Sequence, residues 1–408
     1  MTMATNPRFA PDMRLAIDGR PIPAAMRSSV TRLSLQQSLG ASDRAEFALT
    51  NERLRWLDHP LLALDRQLTV AVGYAPDPLS QLFAGEIVSQ DATFPGTSAP
   101  TLNVVGQDRL RRLQEGTKAR SFAVPIANVG QIPIPDAAVV DLVALEHGLV
   151  PLLEPVGAAI SALLGGAALA VAGTDREALQ SLVRRQQRES DFDFLAKVAR
   201  ENGWDLSIDQ SGPLAGVRLR FRSPLDHLAP DVELAYGRSL LEFRPRISNV
   251  GQIVSVTAFV WVAQIKTSFA VTIGWDWDRT ALSIDVQPSL DTTRKGPSDV
   301  TVDEPVTLLT APRKLLGELI PKLNGRLTGS GSCVGDPRIT AGSVLELSGL
   351  GVQFGGLYRV TAATHTLDQG GYRTGFELRK EIWFGSIPAA QQGAVPVALS
   401  APFAGGLR

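Results

Sequence analysis

The chain has 408 residues, enough for roughly two to four domains and a sizeable buried core. Apolar residues make up 44% and charged residues 20%, and the formal charge of −1 excludes a global basic field that would draw nucleic acid or an anionic membrane. The one cysteine, Cys333, excludes an internal disulfide framework and a thiolate-rich zinc site within one chain, and the four histidines (His59, His147, His227, His365) are far apart with no His-Glu-x-x-His pattern.

Residues 1–13 read as a disordered arm, and "MTMATNPRFAPDM" lacks the apolar run of a secretory signal, so synthesis and assembly in a bacterial cytoplasm are expected. From "MRLAIDGRPIP" onward the text alternates apolar and polar residues. "VTRLSLQQSL", "RAEFALTN", "RQLTVAVGY", "LFAGEIVSQDATF" and "PTLNVVGQD" share a period of two, with Gly, Pro and Asp between them. Residues 14–115 are therefore read as a small β-barrel. The run "RLRRL" places Arg109, Arg111 and Arg112 at its end. It is too short and too poor in aromatics for a nucleic-acid patch, and is assigned to solvent or to contact with an acidic neighbouring subunit.

Residues 116–235 are read as a helical or mixed insert domain. "PDAAVVDLVALEHGL" sets Val139, Leu142, Val143 and Leu145 at helical spacing, with Asp136 or a neighbour as a candidate cap and Gly148 as a stop. Val156–Gly173, "VGAAISALLGGAALAVAG", has no charged residue. Its Ala/Gly content suggests an apolar loop or helical hairpin buried against protein and bent at Gly165 and Gly166. A membrane-active or channel-lining insert is the alternative. Ile160, Leu163, Leu164 and Leu169 are its candidate contact residues. Residues 174–203 are read as helical throughout, starting with a Thr174/Glu177 capping box. "ESDFDFLAKVARENGW" gathers acids and aromatics as a glycosidase might. However, Ser190 suits an N-cap, Asp191 and Asp193 suit the first turn, Gly203 suits the stop, and carboxylates two apart on a helix do not face each other.

Residues 236–386 return to strands and are read as a second barrel. It holds a polar loop at 291–305, a helix "LLGELIPKL" interrupted by Pro321, and a tail from 387 to 408 that frays. "GWDWD" at 274–278 is read as a strand entering a turn, against a sugar platform as the alternative. "GSGSCVGDP" lacks the Gly-Lys-Ser/Thr ending of a phosphate loop, Cys333 reads as a small buried residue, and His365 as a locally bonded strand residue. No catalytic residue, metal site or cofactor is assigned.

Two segments repeat one plan. "LDRQLTVAVGY", "LFAGEIVSQDATF" and "PTLNVVGQD" are echoed by "TAGSVLELSGLG", "QFGGLYRVTAATHTLD" and "GYRTGFELRK". Phe83-x-Gly85 aligns with Phe354-x-Gly356, and Ile87 with Tyr358. Two similar barrels per chain would present six in a cyclic trimer.

With these stretches, and with "LLEFRPRISNVGQIVSVTAF" and the Gly-punctuated run from "GSGSCVGDP" to "ELRK", the chain resembles the phage late control D family. These are baseplate hub proteins of contractile tails and contractile injection systems, similar to the hub of T4-like phages and to the hub part of VgrG spike proteins. The resemblance covers most of residues 14–385. It implies a mainly β fold with an α insert, two tube-like antiparallel β-barrel domains per chain, and a homotrimeric ring adapting a sixfold inner tube to a threefold spike. Partners would be a tube or tube-initiator protein, a separate spike protein, and baseplate wedge and tape-measure proteins. A non-enzymatic part of a virion tail or injection particle follows. The apolar insert departs from the family pattern, and the rival classes are a tail-associated cell-wall hydrolase or carbohydrate-binding protein and a membrane-perforating protein.

Overall fold

The computed structural model describes residues 10–126, 130–247, 255–262, 267–276, 281–289, 299–302 and 310–384. The polypeptide opens with β1 (Ala10–Ile17), β2 (Arg20–Pro21), β3 (Val30–Ser38), β4 (Arg44–Thr50), β5 (Gln67–Ala75), β6 (Ser80–Thr93) and β7 (Thr101–Gln107). The alternation in the sequence becomes burial on one face: Ala45, Phe47 and Leu49 on β4 and Leu68, Val70 and Val72 on β5 point into one core with Leu33, Leu35, Phe83 and Val104. Strand β1 starts inside the segment read as a disordered arm, because residues 10–13 pair with 72–75 of β5. The remainder of that arm, 1–9, and the tail 387–408 lie outside the described residues.

The insert is less helical than its composition suggests. Strands β8 (Lys118–Ile126), β9 (Gly130–Pro133), β10 (Val150–Leu153), β11 (Arg184–Glu189), β12 (Asp205–Asp209) and β13 (Arg218–Arg222) build two three-stranded sheets, ordered β11-β8-β9 and β10-β13-β12. Strand β11 corrects the all-helical reading of 174–203. Its sequence "RRQQRE" has no apolar alternation, and pairing with β8 decides its state. After a short α1 (Ala24–Arg27) in the first part, the insert carries α2 (Asp136–Glu146), α3 (Pro155–Ala172), α4 (Arg176–Ser181) and α5 (Asp191–Asn202). Val139 and Val143 of α2 enter the insert core with Val140, Ala144, Phe194, Val198, Trp204 and Phe221, but Leu142 and Leu145 are 52% and 61% exposed. Asp136 is not a cap: it is the first helical residue, after Pro135. Helix α4 is capped by Asp175, whose carboxylate accepts from the N–H groups of Glu177 and Ala178, so Thr174 plays no capping part.

The last third adds β14 (Val232–Ala235), β15 (Leu240–Ile247), β16 (Ser255–Val262), β17 (Thr267–Asp276), β18 (Ala281–Ser289), β19 (Asp299–Val302), β20 (Leu327–Val334), β21 (Val344–Ser348), β22 (Gly356–Asp368) and β23 (Gly371–Arg379), with helices α6 (Ala311–Asn324) and α7 (Gly351–Phe354). Strand β19 lies within the stretch read as a loop. Trp275 ends up in β17, and Trp277 and Asp278 fall outside the described residues. Helix α6 runs through Pro321 without a break, because a proline in the last turn forfeits one hydrogen bond and Leu315, Leu319 and Leu323 are buried along its face. Strands β16–β19 form their own sheet, ordered β18-β17-β16-β19.

All other strands of the first and last parts join one thirteen-stranded sheet. Its order is β15-β20-β23-β22-β3-β4-β7-β6-β5-β1-β2, with β21 and β14 branching from β22. The seam is antiparallel, from Leu33 opposite Leu367 to Ser38 opposite Ala362. Strand β22 has 13 residues, enough to hold β21 along 356–359 and β3 along 362–367 on the same edge. A bulge at Thr361 separates the two stretches, and the Thr361 carbonyl accepts from Leu39 N–H at 3.0 Å.

The repeat in the sequence corresponds to two antiparallel meanders, β5–β6–β7 and β21–β22–β23, each with a register shift in its middle strand. The aligned glycines serve different ends. A Cβ on Gly85 would lie 2.2 Å from the Gln107 carbonyl oxygen, so close backbone approach requires it, whereas Gly356 takes φ +103°.

Candidate interaction surface

Three regions hold the residues singled out in the sequence. The first is the start of α5. Ser190 Oγ accepts from Asp193 N–H at 3.0 Å, and Gly203 closes the helix in the left-handed conformation, as the sequence predicts. Asp191 does more than sit in a first turn. It is buried, and it accepts from Lys118 Nζ at 2.7 Å, Arg120 at 2.6 Å and Gln186 at 2.9 Å, with His147 Nε2 at 2.7 Å. Lys118 and Arg120 also reach Glu146, at 2.5 and 2.6 Å. Burial works to raise the Asp191 pKa, and the bonds from Lys118, His147 and Gln186 together with the Arg120 charge overcome it, bringing the carboxyl to about 2. The network ties α5 to β8 and α2 and offers no opposed carboxylate pair.

The second region is the short 3-10 turn Arg109–Gln114. Arg109, Arg111 and Arg112 converge on Glu86 of β6: Arg109 Nε lies 3.7 Å and Arg111 4.0 Å from its carboxylate, and Arg112 makes a direct ion pair. Arg111 also pairs with Glu115 at 3.0 Å. The sequence placed these arginines toward solvent or a neighbouring subunit's acid. The acid all three share is their own Glu86, some 25 residues upstream and invisible to local reading. Arg111 and Arg112 border an open polar cleft of about 650 Å³ with Asp65, Glu146 and His147.

The third region is α3, and here the structure overturns the sequence reading. Residues 155–172 form one continuous helix with no bend at Gly165 or Gly166, and only Gly157, Ser161 and Ala172 are buried. It is the described helix long and apolar enough to cross a membrane by length and composition. Of the residues nominated for contact, Leu163 is 69% exposed, while Ile160, Leu164 and Leu169 are half-buried on its flanks. Val171, not singled out in the sequence, is 76% exposed. The segment is apolar all round, as a buried helix would be, yet the chain itself covers one side alone.

Among the described residues no group of three or more His, Cys, Asp or Glu side chains is placed to hold a metal ion. Each histidine has a protein partner. His59 Nδ1 accepts from Leu61 N–H, His147 meets Asp191, His227 meets Asp231 at 2.9 Å, and His365 bonds Tyr372 Oη at 2.8 Å and the Ile339 carbonyl at 2.9 Å. Cys333 is buried in the core of the last third.

No family model matches the chain, and no curated protein matches it. Solved structures do. The 43 kDa tail protein of prophage MuSo2 from Shewanella oneidensis matches with TM-score 0.61 at 13% identity, over 90% of this chain and 98% of that one. A tail protein from Neisseria meningitidis MC58 matches with TM-score 0.59 at 11% identity, over 91% and 97%. The E. coli c3393 protein, a component of the type VI secretion system with structural similarity to T4 bacteriophage tail proteins gp27 and gp5, matches with TM-score 0.54 at 12% identity, over 94% and 80%. The chain therefore has, along nearly its whole length, the fold of these phage tail and type VI secretion proteins, as the sequence resemblance to baseplate hubs implies.

Proposed function

We propose that this chain is the structural hub of a contractile phage tail or contractile injection system, a homotrimer that adapts a sixfold inner tube to a threefold central spike. The observation that carries this reading is the pair of similar antiparallel meanders fused through β3 and β22 into one sheet. Two such units per chain give six around a threefold axis. On this reading 14–115 and 236–386 supply the two tube-like barrels, 116–235 the insert, and the lumen holds cargo or a tape-measure tail. One end of the ring pairs with the tube or its initiator, the other seats the spike, and wedge proteins grip the outside. The hub is assembled in the bacterial cytoplasm and becomes part of the particle without acting as an enzyme.

The test is sedimentation of the full chain with negative-stain imaging, alone and with its tube and spike proteins. A ring-shaped trimer is expected. A monomer at every concentration, with and without partners, would sink the reading, as would robust peptidoglycan turnover by the purified protein. Deleting 156–173 leaves the trimer in place and impairs assembly with partners.

A further inference from the structure

The stretch "RLRFR" of β13 alternates basic and apolar residues. The strand therefore turns Leu219 and Phe221 into the core of the insert and Arg218, Arg220 and Arg222 to the other face. Strand β12 answers in register: Asp209 stands opposite Arg218, Ser207 opposite Arg220 and Asp205 opposite Arg222. The three arginines fare differently. Arg218 and Arg220 reach Asp209 at 2.9 and 2.7 Å, and Arg220 lies 3.7 Å from Glu154. Arg222 has no ion pair and no hydrogen bond among the described residues, and its Nε is buried.

The acids around Arg222 are engaged elsewhere. Asp205, its cross-strand neighbour, accepts from Arg379 at 2.9 Å. Asp231 accepts from Val344 N–H at 2.8 Å and meets His227 at 2.9 Å, and Glu381 is held by Arg359 and Arg379. Arg222 is half-buried where the insert meets the last third, and a Cβ on Gly342 would lie 3.9 Å from its Nη1. Burial and the charges of Arg220 and Arg359 lower its pKa, against the weaker pull of Glu154 and Asp231. A guanidinium keeps its proton at any working pH, so losing the charge is no escape from this setting.

A guanidinium fork suits two parallel bonds to an oxyanion. Arg220 stands two residues away on the same face, its side chain 25% exposed and its Nε also without a hydrogen-bond partner. We infer that Arg222, with Arg220 beside it, receives one oxyanion, a carboxylate or a phosphate, at the junction of the insert and the last third. The anion is either a free ion or an acidic side chain of a second copy of this chain. The inference does not rest on the hub reading.

The experiment titrates inorganic phosphate into the full chain by calorimetry at constant ionic strength in chloride, with sedimentation of the same samples. One phosphate per chain is expected. Arg222→Gln should weaken it about tenfold or more, Arg222→Lys, which keeps the charge without the fork, should fall between, and Glu154→Gln, which removes a nearby acid, should tighten it. Arg222 holds no other group, so the unfolding midpoint of Arg222→Gln in chloride should equal or exceed the parent's. Phosphate binding with this dependence supports the site and makes its ligand a free anion. Self-association that Arg222→Gln abolishes, without phosphate binding, supports the site and gives it to a second copy's carboxylate. Phosphate binding that Arg222→Gln leaves unchanged, or neither binding nor self-association, overturns the inference. So does an Arg222→Gln chain that unfolds more easily than the parent or fails to fold, since Arg222 is then a structural residue.

Discussion

Replacing Asp191 by Asn would remove the charge that Lys118 and Arg120 share and leave two cations around the single carboxylate of Glu146. Asp191 is buried but Lys118, Arg120 and Glu146 are partly exposed, so losing its charge costs about 2 kcal/mol, against about 1 kcal/mol for removing the Ser190 cap by Ser190→Ala. Chemical denaturation of the two variants should rank them in that order. Two other buried groups set opposing pH dependences. Asp43 and Asp108 lie together beneath Gln210, which donates to Asp43 at 3.1 Å, while Ser42 donates to Asp108 at 2.6 Å. Burial raises both, Asp108 to about 6. Its contribution to stability is full below the unfolded value near 4 and is lost as pH rises through 6. Asp108→Asn keeps an acceptor for Ser42 and Leu110 N–H, so it should exceed the parent by up to about 3 kcal/mol at pH 8 and by little at pH 4. His365 runs the other way. Burial lowers its pKa to about 4, so its contribution is full above 6.5 and declines as pH falls toward 4. Denaturation midpoints of Asp108→Asn and His365→Gln across pH 4–8 check both signs.

Elements whose state is decided within a turn or two of chain are legible in the amino-acid sequence: the capped α5, the alternating strands of the first part, the meander repeat. Those decided by distant contact are not. Strand β20, "LTGSGSCV", shows no apolar alternation and is not among the strands read from the sequence, but it is the partner of both β15 and β23. Its glycines make room for aromatic rings: a Cβ on Gly329 would lie 2.7 Å from the Phe243 ring, and one on Gly331 2.6 Å from Phe376 and 2.7 Å from the Glu242 carbonyl. Gly331→Ala should therefore cost about 1–3 kcal/mol in thermal or urea unfolding, because the backbone oxygen has no rotamer by which to retreat. The same logic explains α3. Its composition suggests a helix buried against protein, but within the chain only Gly157, Ser161 and Ala172 are buried, a difference set by packing and not by composition.

At the scale of the molecule, the first and last parts lie far apart in sequence yet share a sheet, and the insert is bolted to both. Arg359, almost wholly buried on β22, donates to Glu381, to the Gly342 carbonyl at 3.0 Å, and to the Pro224 and His227 carbonyls at 2.7 and 2.9 Å in the segment leading out of the insert. Arg379 joins Glu381 at 2.8 Å to Asp205 of β12 at 2.9 Å. In the first part, Tyr74 Oη donates to the Gly335 carbonyl at 3.0 Å, and Ala84 N–H donates to Gln210 of the insert at 2.8 Å. The bonds from Arg359 to Pro224 and His227, from Arg379 to Asp205, from Tyr74 to Gly335 and from Ala84 to Gln210 each cross a boundary that composition alone would draw between domains, and so does the β3–β22 seam. Residues 14–115 expressed alone would expose the free edge of β3 and lose these partners, so limited proteolysis should not release that segment as a stable fragment. Arg359→Met would leave Glu381 buried with Arg379 as its remaining cation and the Pro224 and His227 carbonyls without their donor, a loss of about 3–5 kcal/mol. If the three parts fold as one unit, that variant lowers a single transition seen identically by far-ultraviolet circular dichroism and by tryptophan fluorescence. Two separated transitions, with the first part unchanged by Arg359→Met, would show that the seam joins independent domains instead of making one cooperative body.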